Sequence, residues 1–294
     1  MTRQPLRLAI LDAERVLSVA GVDSPRADAE VLASHLLGVE RTKLMMAPLV
    51  DPPVVEALRD LVRRRAERVP LQHLVGSVTV AGTSLDVGPG VFTPRPETEL
   101  VLSWGLSSIE GVESPTVVDL GTGSGALALA VAHARPDAVV HAVEKSPTAL
   151  SWARHNSDRR VEAGDTPIWL YEGDVTDPTA LMELDGAVDL VLCNPPYVPE
   201  GTPVPPEVRD HDPAESVFAG RDGLGVVRPV VACASRLLRP GASVVIEHDD
   251  THGGSVPALL SARRVLDDVE GHADLAGRPR FATARRVWRE SDSV

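Results

Sequence analysis

The chain has 294 residues, of which 43% are hydrophobic and 24% are charged. These values are ordinary for a globular protein, and at roughly 150 residues per domain the length predicts about two domains. No apolar stretch approaches the ~20 residues of a membrane span, and the amino-terminal residues lack the apolar core of a secretory signal. We therefore expect a cytoplasmic protein.

The charge is acidic and unevenly distributed. The formal net charge is −13, from 29 Lys and Arg and 42 Asp and Glu. Residues 1–76 hold 11 basic and 10 acidic residues, so the remainder holds 18 and 32. A sequence-independent nucleic-acid binder usually has the opposite sign. Cys193 and Cys233, the only cysteines, are too few to form a zinc site, and we interpret them as small buried hydrophobic residues and expect no metal.

The first 75 residues have the pattern of a small helical bundle. Apolar residues at helical spacing form one stripe and predict a first helix over residues 5–20: Leu6, Ala9, Ile10, Ala13 and Leu17. Ser24 followed by Pro25 predicts the start of a second helix, which Gly38 can end. A third helix begins at residues 52–53. Its arginines indicate either a solvated helix face or a docking surface for a partner: Arg59, Arg63, Arg64, Arg65 and Arg68.

The rest of the chain predicts an α/β domain. Alternating residues and Gly88-Pro89-Gly90 predict a β-hairpin linker over residues 76–94. From residue 115 strands and helices alternate, which predicts a doubly wound, mainly parallel sheet. Five strands are predicted in this region and two more in the tail. The expected domains are therefore a helical domain over 1–75, the linker over 76–94, and a seven-stranded domain over 95–294.

A glycine-rich turn follows the first strand of this sheet, with the sequence Asp119-Leu120-Gly121-Thr122-Gly123-Ser124-Gly125. Glycine lets the backbone turn sharply and leaves room for a ligand beside it. In α/β sheets ligands bind at the carboxyl ends of the strands. Residues 121–126 also fit a dinucleotide-binding fingerprint, so the turn alone does not separate NAD from S-adenosylmethionine.

Acidic residues follow the next two strands. Glu144 ends the second strand, where a carboxylate can accept hydrogen bonds from both ribose hydroxyls of an adenosine. Asp174 follows the third strand and can accept from an adenine amino group, while Val175 packs on the ring. Both candidate cofactors contain adenosine, so these residues predict an adenosine-containing cofactor without deciding which one.

The segment Asn194-Pro195-Pro196-Tyr197 ends the fourth strand. Two prolines directly after a hydrophobic strand break it and stiffen the chain. The Asn194 side-chain oxygen and the Pro195 carbonyl are both acceptors, so they can hold the two hydrogens of one planar NH2 group. Tyr197 can cover the face of that group. The segment predicts a site for an amide or an exocyclic amine, which a dehydrogenase does not need.

This series of motifs resembles class I S-adenosylmethionine-dependent methyltransferases that act on planar nitrogen. That class leaves two targets, adenine in nucleic acid and glutamine in protein. Two further segments are similar to the linker signature of the release factor glutamine methyltransferases, the HemK or PrmC family. They are Pro-Leu-Gln-His-Leu-Val-Gly at residues 70–76 and Phe-Thr-Pro-Arg-Pro-Glu-Thr-Glu-Leu at residues 92–100.

The resemblance implies a Rossmann-like methyltransferase domain, an amino-terminal domain for substrate recognition, and S-adenosylhomocysteine as a product. The implied reaction is methylation of N5 of the glutamine in the Gly-Gly-Gln motif of bacterial class I peptide chain release factors. The implied cofactor-binding residues are Asp119, Gly121, Thr122, Gly123, Ser124, Gly125, Glu144, Asp174, Val175 and Asn194. The implied catalytic and substrate-binding residues are Asn194, Pro195, Pro196 and Tyr197.

Roles in the linker signature stay open at this point. Arg95 and Glu99 either order the linker over the methionine end of the cofactor or, with Glu97, form structural salt bridges. The sequence also departs from the family at three places. Glu144 stands where the family usually has Asp, and the hairpin lacks the usual aromatic residues. Residues 247–250 replace a pattern of Glu followed shortly by Gly.

Two alternatives remain beside this interpretation. An adenine-N6 methyltransferase acting on DNA or RNA would share the Asn-Pro-Pro-Tyr segment, but it would need a basic recognition region. A non-catalytic cofactor-binding protein would not be expected to keep all of these motifs. We expect a monomer that binds no membrane and contacts no nucleic acid directly.

Overall fold

The computed structural model describes residues 3–46 and 49–288. They form two compact units, which divide the chain into Met1–Ser77 with Val204–His211, and Val78–Pro203 with Asp212–Val294. The first unit therefore includes a short segment from far along the chain, which the sequence pattern did not predict.

The first unit is the helical bundle that the sequence predicted. The five buried residues of its first helix are those of the predicted apolar stripe: Leu6, Ala9, Ile10, Ala13 and Leu17. Gly38 ends the second helix with φ of 63°, a left-handed conformation that favours glycine. Its helices are α1 Leu6–Val19, α2 Pro25–Leu37, α3 Pro52–Ala66, α4 Leu71–Val75 and α8 Pro206–His211, with a 3-10 turn at Arg41–Met46. The strands β1 Gln4–Pro5 and β2 Leu49–Val50 pair in antiparallel fashion.

The arginines of the third helical segment do not form one exposed face. Arg65 is only 7% exposed. Its Nε donates to Asp28 Oδ2 at 2.8 Å, and its Nη1 donates to Glu207 Oε1 at 2.7 Å. Arg68 donates to the other oxygen of Glu207 at 2.7 Å. The interpretation as a single face was wrong for Arg65 and Arg68, because acidic partners outside α3 draw them inward.

Glu207 anchors the segment Val204–His211 within the first unit. Burial acts to raise the pKa of its carboxyl, but the hydrogen bonds from Arg68 and Arg65 outweigh burial and the net shift is downward. The Glu207 carboxyl group is therefore held in its charged form beside Arg65 and Arg68. A buried ion pair is costly to break from one side, because the remaining charge is left without its partner.

The second unit contains a seven-stranded sheet in the order β10-β11-β9-β8-β5-β6-β7. The run β9-β8-β5-β6-β7 is parallel, and β11 and β10 are added in antiparallel fashion. This confirms the predicted seven-stranded, mainly parallel sheet. Its strands are β5 Thr116–Leu120, β6 Val139–Glu144, β7 Trp169–Glu172, β8 Val188–Cys193, β9 Leu238–Glu247, β10 Leu266–Ala273 and β11 Pro279–Arg286.

Helices cover both faces of this sheet. Alternate residues of the strands face two separate apolar clusters. One cluster is shared with the helices Thr98–Ser108 and Ala126–Ala134, and the other is shared with the helices Val227–Leu237 and Ser255–Ser261. This two-sided burial explains why the strands are nearly continuous hydrophobic runs. The helices are α5 Thr98–Ser108, α6 Ala126–Ala134, α7 Pro147–Glu162, α9 Ala214–Val217, α10 Val227–Leu237 and α11 Ser255–Ser261, with 3-10 turns at Met182–Leu184 and Asp250–His252.

The hairpin consists of β3 Ser77–Val80 and β4 Thr83–Asp86. Val80 and Leu85 are buried in a cluster with Ala126 and Leu129 of α6. Aliphatic side chains therefore form the buried contact between the hairpin and α6, where the family usually has aromatic residues.

We predict that Glu207→Ala lowers the free energy of unfolding by about 1–3 kcal/mol, because Arg65 is then left with an unsatisfied donor. Urea denaturation monitored by circular dichroism measures this loss. Asp60→Ala is the matched control, since Asp60 pairs with Arg63 on the exposed side of the same unit. An exposed ion pair contributes only about 0–1 kcal/mol. Equal effects of the two substitutions would contradict an anchoring role for Glu207.

Candidate active site

Four neighbouring parallel strands end at one edge of the sheet. Asp119 lies near the end of β5, Glu144 ends β6, Asn194 directly follows β8, and Glu247 ends β9. Parallel pairing places the carboxyl ends of these strands side by side, as the sequence predicted for the first three residues. The structure adds Glu247, which no sequence motif had marked as part of the site.

The glycine turn presents bare backbone to open space. Gly121 and Gly123 have φ of 79° and 59°, and a Cβ atom at either position would meet nothing within 4 Å. Gly125 has a different role, because a Cβ there would lie 2.9 Å from the Leu129 Cδ1 atom of α6. The first two glycines leave a cradle that fits a ligand lying against the backbone, and the third permits close helix packing.

Asp119 is a buried carboxyl beside this turn. Its Oδ2 accepts hydrogen bonds from Thr122 Oγ1 at 2.6 Å and from the Ala128 amide at 3.2 Å. Burial raises the pKa of Asp119 to about 7, although these two hydrogen bonds act in the opposite direction. Within the described part of the chain, its Oδ1 has no hydrogen-bond partner. Asp119 therefore keeps unused hydrogen-bonding capacity next to the cradle.

Glu144 connects the glycine turn to the start of α7. One carboxylate oxygen accepts from the Gly123 amide at 2.8 Å, and the other accepts from the Ser146 amide at 2.8 Å. Each carboxylate oxygen can accept more than one hydrogen bond, so both remain able to accept from a ligand. The longer side chain of Glu, compared with Asp, is used here to reach two backbone amides.

Asp174 forms an ion pair that the sequence did not predict. Lys145 Nζ lies 2.8 Å from Asp174 Oδ2, and the Thr176 amide and hydroxyl both donate to Oδ1. The hydrogen bond from Lys145 is the main reason that the pKa of Asp174 falls to about 2. Val175 packs on the apolar cluster of the sheet. Asp174 is thus a fixed anion beyond the end of β7.

The Asn-Pro-Pro-Tyr segment is held at both ends by hydrogen bonds. Asn194 Nδ2 donates to Thr98 Oγ1 at 3.1 Å, and no donor of the described residues reaches Asn194 Oδ1. Tyr197 Oη donates to Glu247 Oε1 at 3.1 Å. Burial and the charge of Glu247 raise the pKa of Tyr197, so its phenol stays protonated. Pro195 is buried and Pro196 is half-buried between these two fixed side chains.

Sequence reasoning missed three residues that support the site. Thr98 and Glu247 hold the Asn-Pro-Pro-Tyr segment, and Thr98 lies inside the linker signature. Asn156 of α7 is 1% exposed. Its Nδ2 donates to the Ser124 carbonyl at 2.9 Å and to the Asp86 carbonyl at 3.0 Å. The position of Glu247 at the end of the strand beside β8 was a usable signal, whereas nothing local distinguishes Asn156.

The charged residues of the linker signature make contacts within the second unit. Arg95 pairs with the buried Asp212 and stacks over the Phe92 ring, with 5.0 Å between the guanidinium carbon and the ring centroid. Glu99 Oε1 accepts from the Ala81 amide in the hairpin turn at 2.9 Å. These contacts favour the structural role that was one of the two alternatives for these residues.

No group of three or more His, Cys, Asp and Glu side chains is arranged to hold a metal ion in the described part of the chain. None of the helices formed by residues 3–46 and 49–288 is long and apolar enough to cross a membrane.

The chain is similar in fold to solved methyltransferases. The hMettl16 catalytic domain, solved with a MAT2A 3'UTR hairpin, matches with a TM-score of 0.55 at 16% identity, over 79% of this chain and 83% of that chain. The Thermus thermophilus 16S rRNA N2 G1207 methyltransferase, solved with AdoMet and guanosine, matches with a TM-score of 0.52 at 20% identity, over 71% of this chain and 49% of that chain. At these identities the likeness shows the fold alone.

Two family models match parts of the chain, and curated relatives match nearly all of it. The PrmC N-terminal domain matches residues 9–76, and the methyltransferase small domain matches residues 97–204. The release factor glutamine methyltransferase of Mycolicibacterium smegmatis is 50% identical over 98% of this chain and 100% of its own length. Those of Streptomyces coelicolor and Deinococcus radiodurans are 47% and 40% identical, over 95% and 96% of this chain and 97% and 99% of their own lengths. The chain therefore belongs to the release factor glutamine methyltransferase family.

Proposed function

We propose that this chain transfers a methyl group from S-adenosylmethionine to N5 of the glutamine in the Gly-Gly-Gln motif of bacterial class I release factors. Relatives that match along nearly their full length are named release factor glutamine methyltransferases. The observation that carries the proposal is the hydrogen bonding of the Asn194 side-chain amide. Its amide nitrogen is committed to Thr98, so its oxygen is left to accept from a planar NH2 group.

The cofactor is assigned to the cradle at the carboxyl edge of the sheet. The open backbone at Gly121 and Gly123 accepts the close approach of a ligand. Glu144 is assigned to the ribose hydroxyls, and Asp174 with Val175 to the adenine. The unpartnered oxygen of Asp119 supports a polar contact at the same place. Thr122, Ser124 and Asn194 complete the proposed set, and Gly125 contributes by letting α6 pack closely behind the turn.

The substrate amide is assigned to Asn194, Pro195, Pro196 and Tyr197. An amide nitrogen is a weak nucleophile because its lone pair is delocalised into the carbonyl. When bound, S-adenosylmethionine supplies a methyl group on a positively charged sulfur. Asn194 Oδ1 and the Pro195 carbonyl accept the two N–H hydrogens, so they turn the nitrogen lone pair out of conjugation and stabilise the positive charge that grows on nitrogen. This stabilisation is strongest in the transition state, where it raises the rate.

We also propose a role for each unit and a cellular location. The helical unit is assigned to recognition of the release factor, and the unit with the seven-stranded sheet to cofactor binding and transfer. Release factors act at the ribosome, so the protein is proposed to work in the cytoplasm. The protein is also proposed to be a monomer.

We predict that Asn194→Ala lowers kcat for methylation by about 100-fold or more, since one preorganised transition-state hydrogen bond is worth about that much. The dissociation constant for S-adenosylmethionine, measured by calorimetry, should change much less. Equal losses in rate and in cofactor affinity would instead assign Asn194 to the cofactor.

We predict that Glu144→Ala weakens binding of S-adenosylmethionine by roughly 10–100-fold, because hydrogen bonds to a charged acceptor contribute about 1.5–3 kcal/mol each. Calorimetric titration measures this change. Glu172→Ala is the control, since Glu172 is an exposed acid at the end of the adjacent strand and pairs in register with Glu144. An unchanged affinity in Glu144→Ala would remove the ribose role.

A methylation assay read by mass spectrometry tests the function itself. The purified protein and S-adenosylmethionine are incubated with an unmethylated bacterial release factor, and in parallel with adenine-containing DNA and RNA. We expect a mass gain of one methyl group that maps to the glutamine of the Gly-Gly-Gln motif. Methylation of adenine alone would overturn the substrate and support the adenine-N6 alternative. No transfer despite measurable cofactor binding would overturn the proposal in favour of a non-catalytic role.

A further inference from the structure

The carboxyl group of Glu247 lies behind the Asn-Pro-Pro-Tyr segment and is 1% exposed. Its Oε2 accepts from Thr98 Oγ1 at 2.8 Å, and its Oε1 accepts from Tyr197 Oη at 3.1 Å. Thr98 Oγ1 in turn accepts from Asn194 Nδ2 at 3.1 Å. One buried carboxyl group is therefore connected to both ends of the segment, directly to Tyr197 and through one hydroxyl to Asn194.

The direction of these hydrogen bonds follows from the number of protons available. A threonine hydroxyl carries one proton, and here that proton is donated to Glu247. Thr98 Oγ1 can then only accept from Asn194, so it selects the NH2 end of the Asn194 amide. Turning that amide over would place two acceptors, Asn194 Oδ1 and Thr98 Oγ1, against each other without a proton between them. A buried contact of that kind is strongly unfavourable.

We propose that Glu247 is a positioning residue for methyl transfer, which acts through Thr98 to keep the Asn194 oxygen available to the substrate NH2 group and acts directly to fix Tyr197. This inference rests on the proposed function, because it presumes a substrate with a planar NH2 group. Glu247 itself contacts no substrate. Supporting residues of this kind orient the groups that do the chemistry, and a misplacement of about 1 Å can cost about 100-fold in rate.

The hydrogen bonds of Thr98 to Glu247 and Asn194 account for the threonine at position 98 of the linker signature. Glu247, Thr98 and Asn194 form a hydrogen-bonded relay in which Thr98 is the middle residue. Thr98 is 2% exposed at the start of α5. Glu247 and Asn194 are not hydrogen-bonded to each other, so the hydroxyl of Thr98 is the bridge between them. A linker residue is thereby built into the acceptor geometry of the site.

The charge of Glu247 gives the relay a dependence on pH. Burial raises the pKa of Glu247 to about 7, although the hydrogen bonds from Thr98 and Tyr197 oppose the rise. The titratable and charged groups that face it are Tyr197 and Cys193, both held neutral, the cation Arg280, and the acid Glu97.

Protonation reverses the relay. A protonated Glu247 can donate to Thr98, whose own proton is then free to be donated to Asn194. The Asn194 amide turns over to accept it, so that its Oδ1 is occupied by Thr98 and its NH2 group faces the substrate. The rate should therefore be low at acidic pH and should rise as the pH increases through about 7, where the carboxylate form becomes dominant.

Isosteric substitution of the bridging hydroxyl is the first test. We expect Thr98→Val to lower kcat by up to about 100-fold, with the dissociation constant for S-adenosylmethionine changed by less than about twofold. Thr98→Ser should recover most of the lost rate because it restores the hydroxyl. Thr83→Val is the matched control, since Thr83 is fully buried in the hairpin and its hydroxyl has no hydrogen-bond partner among the described residues. Unchanged kcat in Thr98→Val, or no recovery in Thr98→Ser, would overturn the proposal.

The pH profile is the second test. Glu247→Gln should be slow at every pH and should lack the rise in kcat near pH 7 that the wild-type protein shows. A rise that persists unchanged in Glu247→Gln would overturn the role of this carboxylate. Thermal unfolding of each variant, with bound S-adenosylmethionine as a check of the folded state, separates loss of positioning from loss of folding.

A nuclear magnetic resonance measurement without substrate separates this inference from the proposed function. One side-chain amide proton of Asn194 should be shifted downfield and protected in the wild type and in Thr98→Ser, but not in Thr98→Val. If the wild type fails to methylate release factors while this signature depends on Thr98, the function is wrong and the relay stands. If methylation occurs and the signature does not depend on Thr98, the relay is wrong and the function stands.

Discussion

Parallel pairing of four strands is the constraint on which the site depends. Because β5, β6, β8 and β9 run in the same direction, the polar residues at their carboxyl ends are brought to one edge although they lie far apart in sequence. The apolar residues of the same strands are buried on both faces, which makes the sheet rigid. The strands therefore form a rigid frame for the site. The turns that follow the strands differ from one another in the chemical groups that they present.

That edge buries two carboxyl groups that form no ion pair with the described residues, although Arg280 faces one of them, Glu247. Asp119 and Glu247 are each 1% exposed, and burial raises the pKa of both to about 7. Groups of this kind weaken the folded protein when they ionise, because the unfolded chain holds the charge at lower cost. Hydrogen bonds from Thr122, Thr98 and Tyr197 offset part of this penalty. The same hydrogen bonds fix the glycine turn and the Asn-Pro-Pro-Tyr segment, so the cost in stability is tied to the geometry of the site.

The linker signature has a physical explanation in these contacts. Glu99 accepts from the backbone of the hairpin turn, Arg95 holds Asp212, and Thr98 joins Asn194 to Glu247. Each of these side chains binds a different segment of the second unit. A short stretch of charged and hydroxyl residues thereby orders the hairpin, the segment after the Asn-Pro-Pro-Tyr motif, and the motif itself.

The sequence by itself determined the local elements and the presence of most of the site. The period of the apolar residues determined the first helix and the five parallel strands, and the tail was only expected to hold two more strands. The glycines and prolines determined the turns after β5 and β8. It did not determine which charged side chains are buried, since Arg65 and Arg68 have the helical spacing of exposed residues and are drawn inward by Glu207 from far along the chain. Likewise, only the tertiary structure decided that Thr98 and Glu247 meet at Asn194. Such contacts depend on the order and direction of strands, which local patterns do not encode.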